Sequence, residues 1–253
     1  MKFTFLGTGT SQGVPVIACD CEVCQSENVK DKRLRTSALM EVDGVNLVID
    51  SGPDFRQQML REKVQDVDAI LFTHEHKDHL AGLDDVRAFN FKHNKDMEVF
   101  ASERVQEALK REFWYVFQEF KYPGVPNVNL NLIEDAKFQV KGVEVTPINV
   151  LHYKLPVKAF RIKDLTYITD ANFISEEEKE KIKGSKILIV NALRKEEHLS
   201  HFTLSEALDF IAEINPEKAY LTHISHLLGK HDDVEKELPE NVFLAYDGLT
   251  FEV

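Results

Sequence analysis

The stretch THEHKDHLAG, residues 73–82, follows a short apolar run, VDAILF (67–72), that has the composition of a buried strand. Four candidate metal ligands therefore lie in the turn after a strand: His74, His76, Asp78 and His79. Imidazole and carboxylate groups on one tight turn converge within a few ångström, as a metal site requires. One isolated histidine would usually be structural, whereas a His-x-His-x-Asp-His cluster predicts metal binding.

Three later segments repeat this order of a strand followed by a polar residue. The strand-like runs VEVTPINV, LTYIT and KAYLT end at His152, Asp170 and His223, respectively. A polar residue at a single strand end is ordinary. Together with the 73–82 stretch, however, these residues predict seven ligands along one edge of a sheet assembly, where ligand sites of α/β proteins collect.

The composition restricts the class of protein. With 253 residues, 43% of them hydrophobic, and no linker rich in Pro, Gly or Ser, the chain is expected to form one mixed α and β domain over residues 1–253. The net charge of −12 argues against a broad nucleic-acid surface. No signal-peptide pattern and no apolar run of about 18 residues occur. We therefore expect a soluble protein of the cytoplasm without a membrane partner.

Hairpins and helices alternate along the chain. Strand, tight glycine turn and strand are predicted in EVDGVNLVID (41–50) and QVKGVEVTPI (139–148), and a third hairpin in AYDGLTFEV (245–253). The first two suit two similar sheets packed face to face, although two common hairpins can also match by chance.

Helices are predicted from DFRQQMLREKV (54–64), from SERVQEALKREF (102–113) and after the Thr203–Glu206 capping box. The second has apolar positions that continue through WYVFQEF (114–120), so it is expected to extend there. Its aromatic residues around Trp114 suit core packing, a pocket cover or a homodimer contact.

All three cysteines lie in IACDCEVC (17–24), as Cys19, Cys21 and Cys24. Three inert buried thiols are one interpretation, and a disulfide is disfavoured by the odd count. A structural zinc site needs a fourth ligand. His226 follows His223 by three residues, about one turn, and can complete a Cys₃His site with a zinc-binding loop near residues 17–26. The alternative is a surface histidine.

The 73–82 motif and the later His, Asp and His, matched in order, resemble the metallo-β-lactamase superfamily over nearly the whole chain. The resemblance implies a four-layer αββα sandwich with two divalent ions at one edge. In that scheme the first ion is held by His74, His76 and His152, the second by Asp78, His79 and His223, and Asp170 bridges them. Asp50 resembles an early aspartate of the family that orients a ligand, although an ordinary strand-end aspartate is an equal alternative.

A narrower resemblance combines LGTGTSQGVP, CDCEVC, HEHKDH and LTHISH, which are similar to phosphoribosyl 1,2-cyclic phosphate phosphodiesterases. It implies hydrolysis of a small cyclic or nucleotide-like phosphodiester by hydroxide activated by two Zn²⁺ or Mn²⁺ ions, with Asp170 catalytic and a separate structural zinc. It also assigns His201 as the general acid, with His198 as the rival. Where the family has a small-residue turn, this chain has Asp170-Ala171-Asn172-Phe173, so the substrate-facing wall is expected to differ.

Other functions compatible with the same residues are an RNA-processing nuclease, a thioester hydrolase and a zinc-stabilised binding protein without catalysis. A phosphate-binding arginine cluster is not evident. The basic candidates are Arg35, Arg87, Lys154 and Arg194. The expected partner is a small-molecule phosphodiester.

Overall fold

Two seven-stranded sheets form the centre of the computed structural model, which describes residues 1–253. In spatial order the first sheet contains β14 (Thr250–Glu252), β1 (Lys2–Gly7), β2 (Ser37–Val42), β3 (Val45–Ile49), β4 (Ala69–Leu71), β5 (Met97–Ala101) and β6 (Val128–Leu132). The second contains β13 (Val242–Leu244), β12 (Lys218–Thr222), β11 (Ile187–Asn191), β10 (Leu165–Tyr167), β9 (Leu155–Ile162), β8 (Val143–His152) and β7 (Phe138–Val140).

Seven α-helices cover the outer faces of these sheets. They are α1 (Phe55–Arg61), α2 (Lys77–Leu80), α3 (Arg87–His93), α4 (Glu103–Glu112), α5 (Glu176–Ile182), α6 (Leu204–Ile214) and α7 (His231–Val234). Helices α1 to α4 pack on the first sheet, and α5 to α7 pack on the second. The predicted αββα sandwich is therefore confirmed.

Alternation along the strands produces the layers, because successive side chains point to opposite faces of a sheet. In β3, Leu47 and Ile49 face the second sheet, whereas Val48 faces the helices. Phe3 and Tyr167 meet between the sheets with their ring centroids 6.1 Å apart. Burial of one such side chain contributes roughly 1.5–3 kcal/mol.

The direction of the strands collects the predicted ligands at one edge. Strands β3 to β6 run parallel in the first sheet, and β10 to β13 run parallel in the second. Asp50 follows β3, His74 follows β4, Asp170 follows β10 and His223 follows β12. Carboxyl ends of parallel strands meet at the same edge, so residues far apart in sequence become neighbours there.

Two of the three predicted hairpins form. Strands β2 and β3 pair antiparallel in the first sheet, and β7 and β8 do so in the second. The third prediction is wrong: β13 pairs with β12, whereas β14 pairs with β1. The turn at Asp247-Gly248 therefore carries the chain from one sheet to the other, and each strand finds its partner across a long sequence separation.

The predicted extension of the 102–113 helix is also wrong. Helix α4 ends at Glu112, and a 3₁₀ turn at Trp114–Val116 follows. Tyr115 turns away to donate a hydrogen bond from its hydroxyl to Asp84 Oδ1 at 2.6 Å. The backbone therefore leaves the helical path at Phe113, and Tyr115 is held instead by a residue 31 positions earlier in the chain.

The segment after α4 exposes three aromatic side chains: Trp114, Phe120 and Tyr122. They are therefore not core residues, and the homodimer contact remains a prediction. The longest helix, α6, has 11 residues, and none is both long and apolar enough to cross a bilayer.

A buried hydroxyl in the central core generates a stability prediction. Tyr167 is fully buried, and its hydroxyl has no hydrogen-bond partner. An unsatisfied buried donor costs about 1–3 kcal/mol, so Tyr167→Phe should raise the free energy of unfolding by about 1 kcal/mol. Urea denaturation at matched metal content measures this change.

The control for this prediction is Tyr122→Phe, because Tyr122 is exposed and its hydroxyl is solvated. That substitution should leave the free energy of unfolding unchanged. A lower free energy of unfolding in Tyr167→Phe would contradict the prediction and indicate that the hydroxyl has a bound partner.

Candidate metal centres

The His-x-His-x-Asp-His turn presents its side chains because α2 begins inside it. His76 is the N-cap of this four-residue helix, and Asp78 and His79 lie within it. His74 Nε2 lies 2.9 Å from His76 Nδ1. On the other side of the turn, His79 Nε2 lies 3.1 Å from Asp78 Oδ2. One turn therefore contributes two pairs of donor atoms.

Asp50 fixes the His-x-His-x-Asp-His turn through hydrogen bonds to Thr73 and His79. Its Oδ1 accepts a hydrogen bond from the Thr73 amide, and its Oδ2 accepts from the Thr73 hydroxyl, both at 2.8 Å. Its Oδ2 also accepts from His79 Nδ1 at 2.7 Å. The carboxylate is fully buried and has a left-handed backbone, with φ of 60°. These contacts favour the orienting interpretation of Asp50 over an ordinary strand-end residue.

Asp170 lies between the two halves of the predicted centre. Its Oδ1 is 2.9 Å from His223 Nδ1. Its Oδ2 is 3.4 Å from His79 Nε2 and 3.6 Å from His74 Nε2. Asp170 accordingly belongs to three groups of converging ligand atoms. The first also contains His74 and His76, the second His79 and His223, and the third His152 and His201. This central position suits a bridging carboxylate.

Backbone strain accompanies this arrangement. Asp170 and His223 both have left-handed backbones, with φ of 54° and 56°. Such conformations cost free energy for residues other than glycine and persist where the surroundings determine them, often at functional sites. The left-handed backbone conformation therefore occurs at two candidate ligands, each of which follows the end of a strand.

The electrostatics of the cluster favour bound cations. Burial alone would lower the pKa of His79, but Asp170, Asp78 and Asp50 raise it well above its ordinary value. Burial would likewise raise the pKa of Asp170, but His223 and His79 hold it well below its ordinary value. The carboxylates thus outweigh desolvation at His79, whereas burial lowers the pKa of His74 well below its ordinary value. Positive charge is therefore stabilised beside Asp50, Asp78 and Asp170.

The histidine hydrogen bonds leave ring nitrogens available as ligands. Nδ1 donates to Thr73 Oγ1 in His74, to Asp50 in His79 and to the Ser200 carbonyl in His152. The remaining Nε2 atoms are the potential ligand atoms, and that of His79 lies 3.1 Å from Asp78 Oδ2 and 3.4 Å from Asp170 Oδ2, where a metal cation can take the place of its proton. Imidazoles fixed in this way, together with carboxylates, fit Zn²⁺ or Mn²⁺.

Threonine contacts that the sequence did not predict orient His223. The Thr36 hydroxyl donates to the Gly9 carbonyl at 2.7 Å and lies 3.1 Å from His223 Nδ1. The Thr10 hydroxyl lies 3.2 Å from His223 Nε2. Thr10 belongs to the glycine-rich LGTGTSQG segment, which is evident in the sequence. No local sequence pattern indicated that this segment contacts His223.

His201 lies inside the cluster, whereas His198 lies on its rim. The His201 ring centroid is 4.4 Å from that of His152 and 4.8 Å from that of His223. Burial lowers the pKa of His201 to about 2 and also lowers that of the half-buried His198. His201 is therefore neutral in this environment, with a buried Nδ1 that has no partner. Its role as general acid remains a prediction.

Three of the four basic candidates are engaged by the protein itself. Arg35 forms an ion pair with Asp54, and Arg87 forms one with Asp84. Arg194 donates to the carbonyls of residues 196 and 197. Lys154 forms no ion pair, and its ammonium lies 5.2 Å from the centre of the Tyr153 ring.

The cysteines and His226 form a second cluster. The Sγ atoms of Cys19, Cys21 and Cys24 lie 3.4, 3.3 and 3.6 Å from His226 Nδ1. Tetrahedral ligands at ordinary zinc–sulfur and zinc–nitrogen lengths stand about 3.5 Å apart. The four ligand atoms therefore fit one Zn²⁺, and the predicted fourth ligand lies where the site requires it.

Backbone amides also donate hydrogen bonds to two of these sulfur atoms. The Val16 amide donates to Cys24 Sγ, and the Cys24 amide donates to Cys21 Sγ. This amide and His226 lower the pKa of Cys21 to about 6, whereas burial raises that of Cys24 to about 11. A bound cation would favour the thiolate of Cys24 as well.

The backbone joins the two candidate centres. The Ile224 amide donates to the Thr8 carbonyl at 2.8 Å, and the Thr10 amide donates to the Ile224 carbonyl at 3.0 Å. Ile224 lies between the ligands His223 and His226. The amide and the carbonyl of Ile224 therefore both bind the N-terminal loop and hold it against the segment that carries His223 and His226.

Comparisons with known proteins were made against family models, curated proteins and solved structures. The family model of the β-lactamase superfamily domain matches residues 45–224. A diphosphatase from the PhnP family has a crystal structure with a TM-score of 0.93 and 36% sequence identity, covering 100% of this chain and 97% of that chain. Zinc-bound PqqB from Methylobacterium extorquens has a TM-score of 0.81 at 18% identity, covers both chains fully and supports the fold alone.

Among curated proteins, an octanoyltransferase from Porphyromonas gingivalis is 39% identical over 98% of this chain and 51% of its own length. Ribonuclease Z from Crocosphaera subtropica is 29% identical over 65% of this chain and 48% of its own length. The chain spans about half the length of the curated relatives it matches.

The contacts of Asp50 predict its effect on metal affinity. In Asp50→Asn, an amide NH₂ group would face Thr73 or His79, so one acceptor is lost and the His79 tautomer is no longer fixed. Loss of such an orienting contact weakens metal binding by about 10- to 100-fold. Metal retained after dialysis against graded chelator measures the effect. Asp43→Asn, at an exposed carboxylate, is the control, and equal retention in both variants would contradict the prediction.

The second cluster predicts a separate zinc equivalent. His226→Ala should lose one zinc per chain and lower Tm by at least about 5 °C, because metal binding contributes directly to folding. Elemental analysis and thermal unfolding measure the two effects. His93→Ala is the control, since His93 contacts only the Gln65 carbonyl and Asp66 on the surface. An unchanged zinc content in His226→Ala would exclude His226 as the fourth ligand.

Proposed function

Because this chain belongs to the metallo-β-lactamase superfamily and is a metal-dependent hydrolase, we propose that it hydrolyses a small cyclic or nucleotide-like phosphodiester. We propose 5-phosphoribosyl 1,2-cyclic phosphate as its first candidate substrate. The likeness to the diphosphatase supports chemistry at phosphorus, because it extends over the full length of this chain.

The position of Asp170 is the observation that carries the proposal. One of its oxygens faces His223 and the other faces His79 and His74, at the distances given above. A carboxylate between two groups of histidines suits two neighbouring divalent ions, and a phosphodiester needs such paired positive charge to offset its own. We infer that His74, His76 and His152 hold one ion, and that Asp78, His79 and His223 hold the other.

When bound, the two ions supply Lewis-acid chemistry, in which they offset phosphate charge and lower the pKa of water. The protein's own residues keep the ligands in place. Asp50 fixes the His79 tautomer, and Thr36 and Thr10 orient His223. We propose water as the attacking group, and all three cysteines lie with His226 in the second cluster.

The remaining task is to protonate the departing sugar oxygen, and we propose His201 for it. Its ring lies against those of His152 and His223, so it borders the place where the scissile group would bind. To give up a proton to the leaving oxygen, His201 must first be protonated, so this role requires the negatively charged substrate to raise its pKa on binding. His198, whose ring centroid is 5.1 Å away, is the alternative.

A thioester hydrolase is the second candidate, and one relative favours it. The octanoyltransferase, whose name denotes acyl transfer, contains a region 39% identical to this chain. This region makes up about half of that protein, so the acyl chemistry can belong to the other half. A nuclease is disfavoured by the net charge of −12, which opposes binding to a phosphate backbone.

The proposal is tested by ³¹P NMR of 5-phosphoribosyl 1,2-cyclic phosphate with protein loaded with Zn²⁺ or Mn²⁺. We expect ring opening to a single monoester. Asp170→Asn should lower the rate by at least about 1000-fold, because the shared ligand is lost. His201→Ala should lower it by about 100- to 10,000-fold, the usual contribution of a general acid.

Lys236→Ala is the control and should keep the wild-type rate, because Lys236 is exposed and pairs only with Asp233. A persistent cyclic signal with fully loaded wild-type protein would exclude this substrate. Rapid cleavage of octanoyl thioesters under the same conditions would instead establish the second candidate.

A further inference from the structure

The turn between β8 and β9 presents two unusual side chains beside the metal ligands. His152 pairs with Leu155, so the turn consists of Tyr153 and Lys154 alone. Two-residue hairpin turns favour Asn and Gly, because the first position needs a left-handed backbone. Tyr153 adopts this conformation, with φ of 58°, and leaves 47% of its surface exposed. A strained, exposed aromatic residue at this position suggests a functional requirement.

A single side chain fixes this turn. Asn172 Oδ1 accepts a hydrogen bond from the Tyr153 amide at 2.6 Å, and Asn172 Nδ2 donates to the Leu199 carbonyl at 3.2 Å. His152 Nδ1 adds a bond to the Ser200 carbonyl at 2.7 Å. The loops that carry His152, Asp170 and His201 are therefore tied together. Asn172 lies in the Asp170-Ala-Asn-Phe segment, where the sequence departs from the expected small-residue turn.

Lys154 supplies an uncommitted positive charge at this turn. Arg35, Arg87 and Arg194 are engaged by carboxylates or carbonyls, whereas the Lys154 ammonium forms no ion pair. It instead lies over the Tyr153 ring, 5.2 Å from its centre, a distance at which the ring attracts the cation. A lysine held in this way is available to an anionic group of a substrate at the adjacent ligands.

Building on the phosphodiesterase proposed above, we propose that the Tyr153–Lys154 turn, fixed by Asn172, is a recognition subsite for a second phosphate on the substrate. Lys154 pairs with that phosphate, and Tyr153 packs against the sugar or base ring that carries it. Asn172 acts as a positioning residue, because it contacts the turn and not the substrate.

Two substrates that differ only in the second phosphate test the subsite: 5-phosphoribosyl 1,2-cyclic phosphate and ribose 1,2-cyclic phosphate. Wild-type protein should prefer the first. Lys154→Ala should lower the ratio of the two kcat/KM values by about tenfold, mainly through KM, because one charge-assisted contact is lost. Lys154→Arg should restore most of the ratio, and Lys236→Ala should not change it. An unchanged ratio in Lys154→Ala would overturn the proposal.

Asn172→Ala separates positioning from metal binding. It should lower the same ratio by a smaller factor, about threefold, while elemental analysis shows the wild-type metal content. Loss of metal without a change in the ratio would assign Asn172 to the metal cluster and overturn its role at the turn.

Binding of ribose 5-phosphate, measured by isothermal titration, makes the subsite testable even if neither diester is hydrolysed. Wild-type protein should bind it more tightly than ribose, and Lys154→Ala should weaken this binding by about tenfold. Equal affinity of both proteins would exclude the subsite. Inactivity towards both diesters with retained Lys154-dependent binding would contradict only the proposed function.

Discussion

The convergence of three carboxylates on the buried imidazole of His79 is the constraint on which the candidate active site depends. Asp50, Asp78 and Asp170 surround a side chain that is itself withdrawn from water, and their combined charge outweighs its desolvation. So much buried negative charge requires neighbouring cations. His74, His79 and His152 have their Nδ1 atoms held by Thr73, Asp50 and the Ser200 carbonyl, so their Nε2 atoms are the ones available to such cations. Metal binding is thus built into the charge balance of the fold.

The same edge depends on contacts between the beginning and the end of the chain. Ile224 pairs with the backbone of Thr8 and Thr10 and lies between His223 and His226 in sequence. His223 contacts Asp170, and His226 contacts the three cysteines. A zinc ion bound to Cys19, Cys21, Cys24 and His226 would restrain the segment that presents His223. Such a zinc ion would couple the stability of this segment to the position of His223.

The candidate metal ligands lie at or near strand ends, whereas the proposed Tyr153–Lys154 subsite lies in a turn. Strand ends are held by the hydrogen bonds of the sheet. The turn at Tyr153 and Lys154 is held by one side-chain amide, from Asn172. The same amide also contacts the Leu199 carbonyl, so the turn is tied to the loops that carry Asp170 and His201.

Local patterns in the sequence predicted a mixed α and β domain and singled out the polar residues at strand ends, whereas the αββα sandwich was implied by the resemblance to a known superfamily. The structure brings Cys19, Cys21, Cys24 and His226 together, and it groups Asp170 with five candidate ligand histidines. Alternating apolar residues specify strands, and polar residues at strand ends specify the edge on which they meet. Local patterns failed for α4, which ends at Glu112, and for β13 and β14, which join different sheets. Each failure reflects a partner that lies far away in sequence, such as Asp84 for Tyr115.

The sequence by itself therefore determined the chemistry of this protein: which side chains can bind metal and at which strand ends they lie. Only the tertiary structure decided how those side chains are aimed. The contacts of Thr36 and Thr10 with His223, and of Asn172 with residues 153 and 199, join segments separated by 19 to 213 residues. Hydrogen bonds of this kind have no periodicity along the chain, so the folded backbone is needed to reveal them.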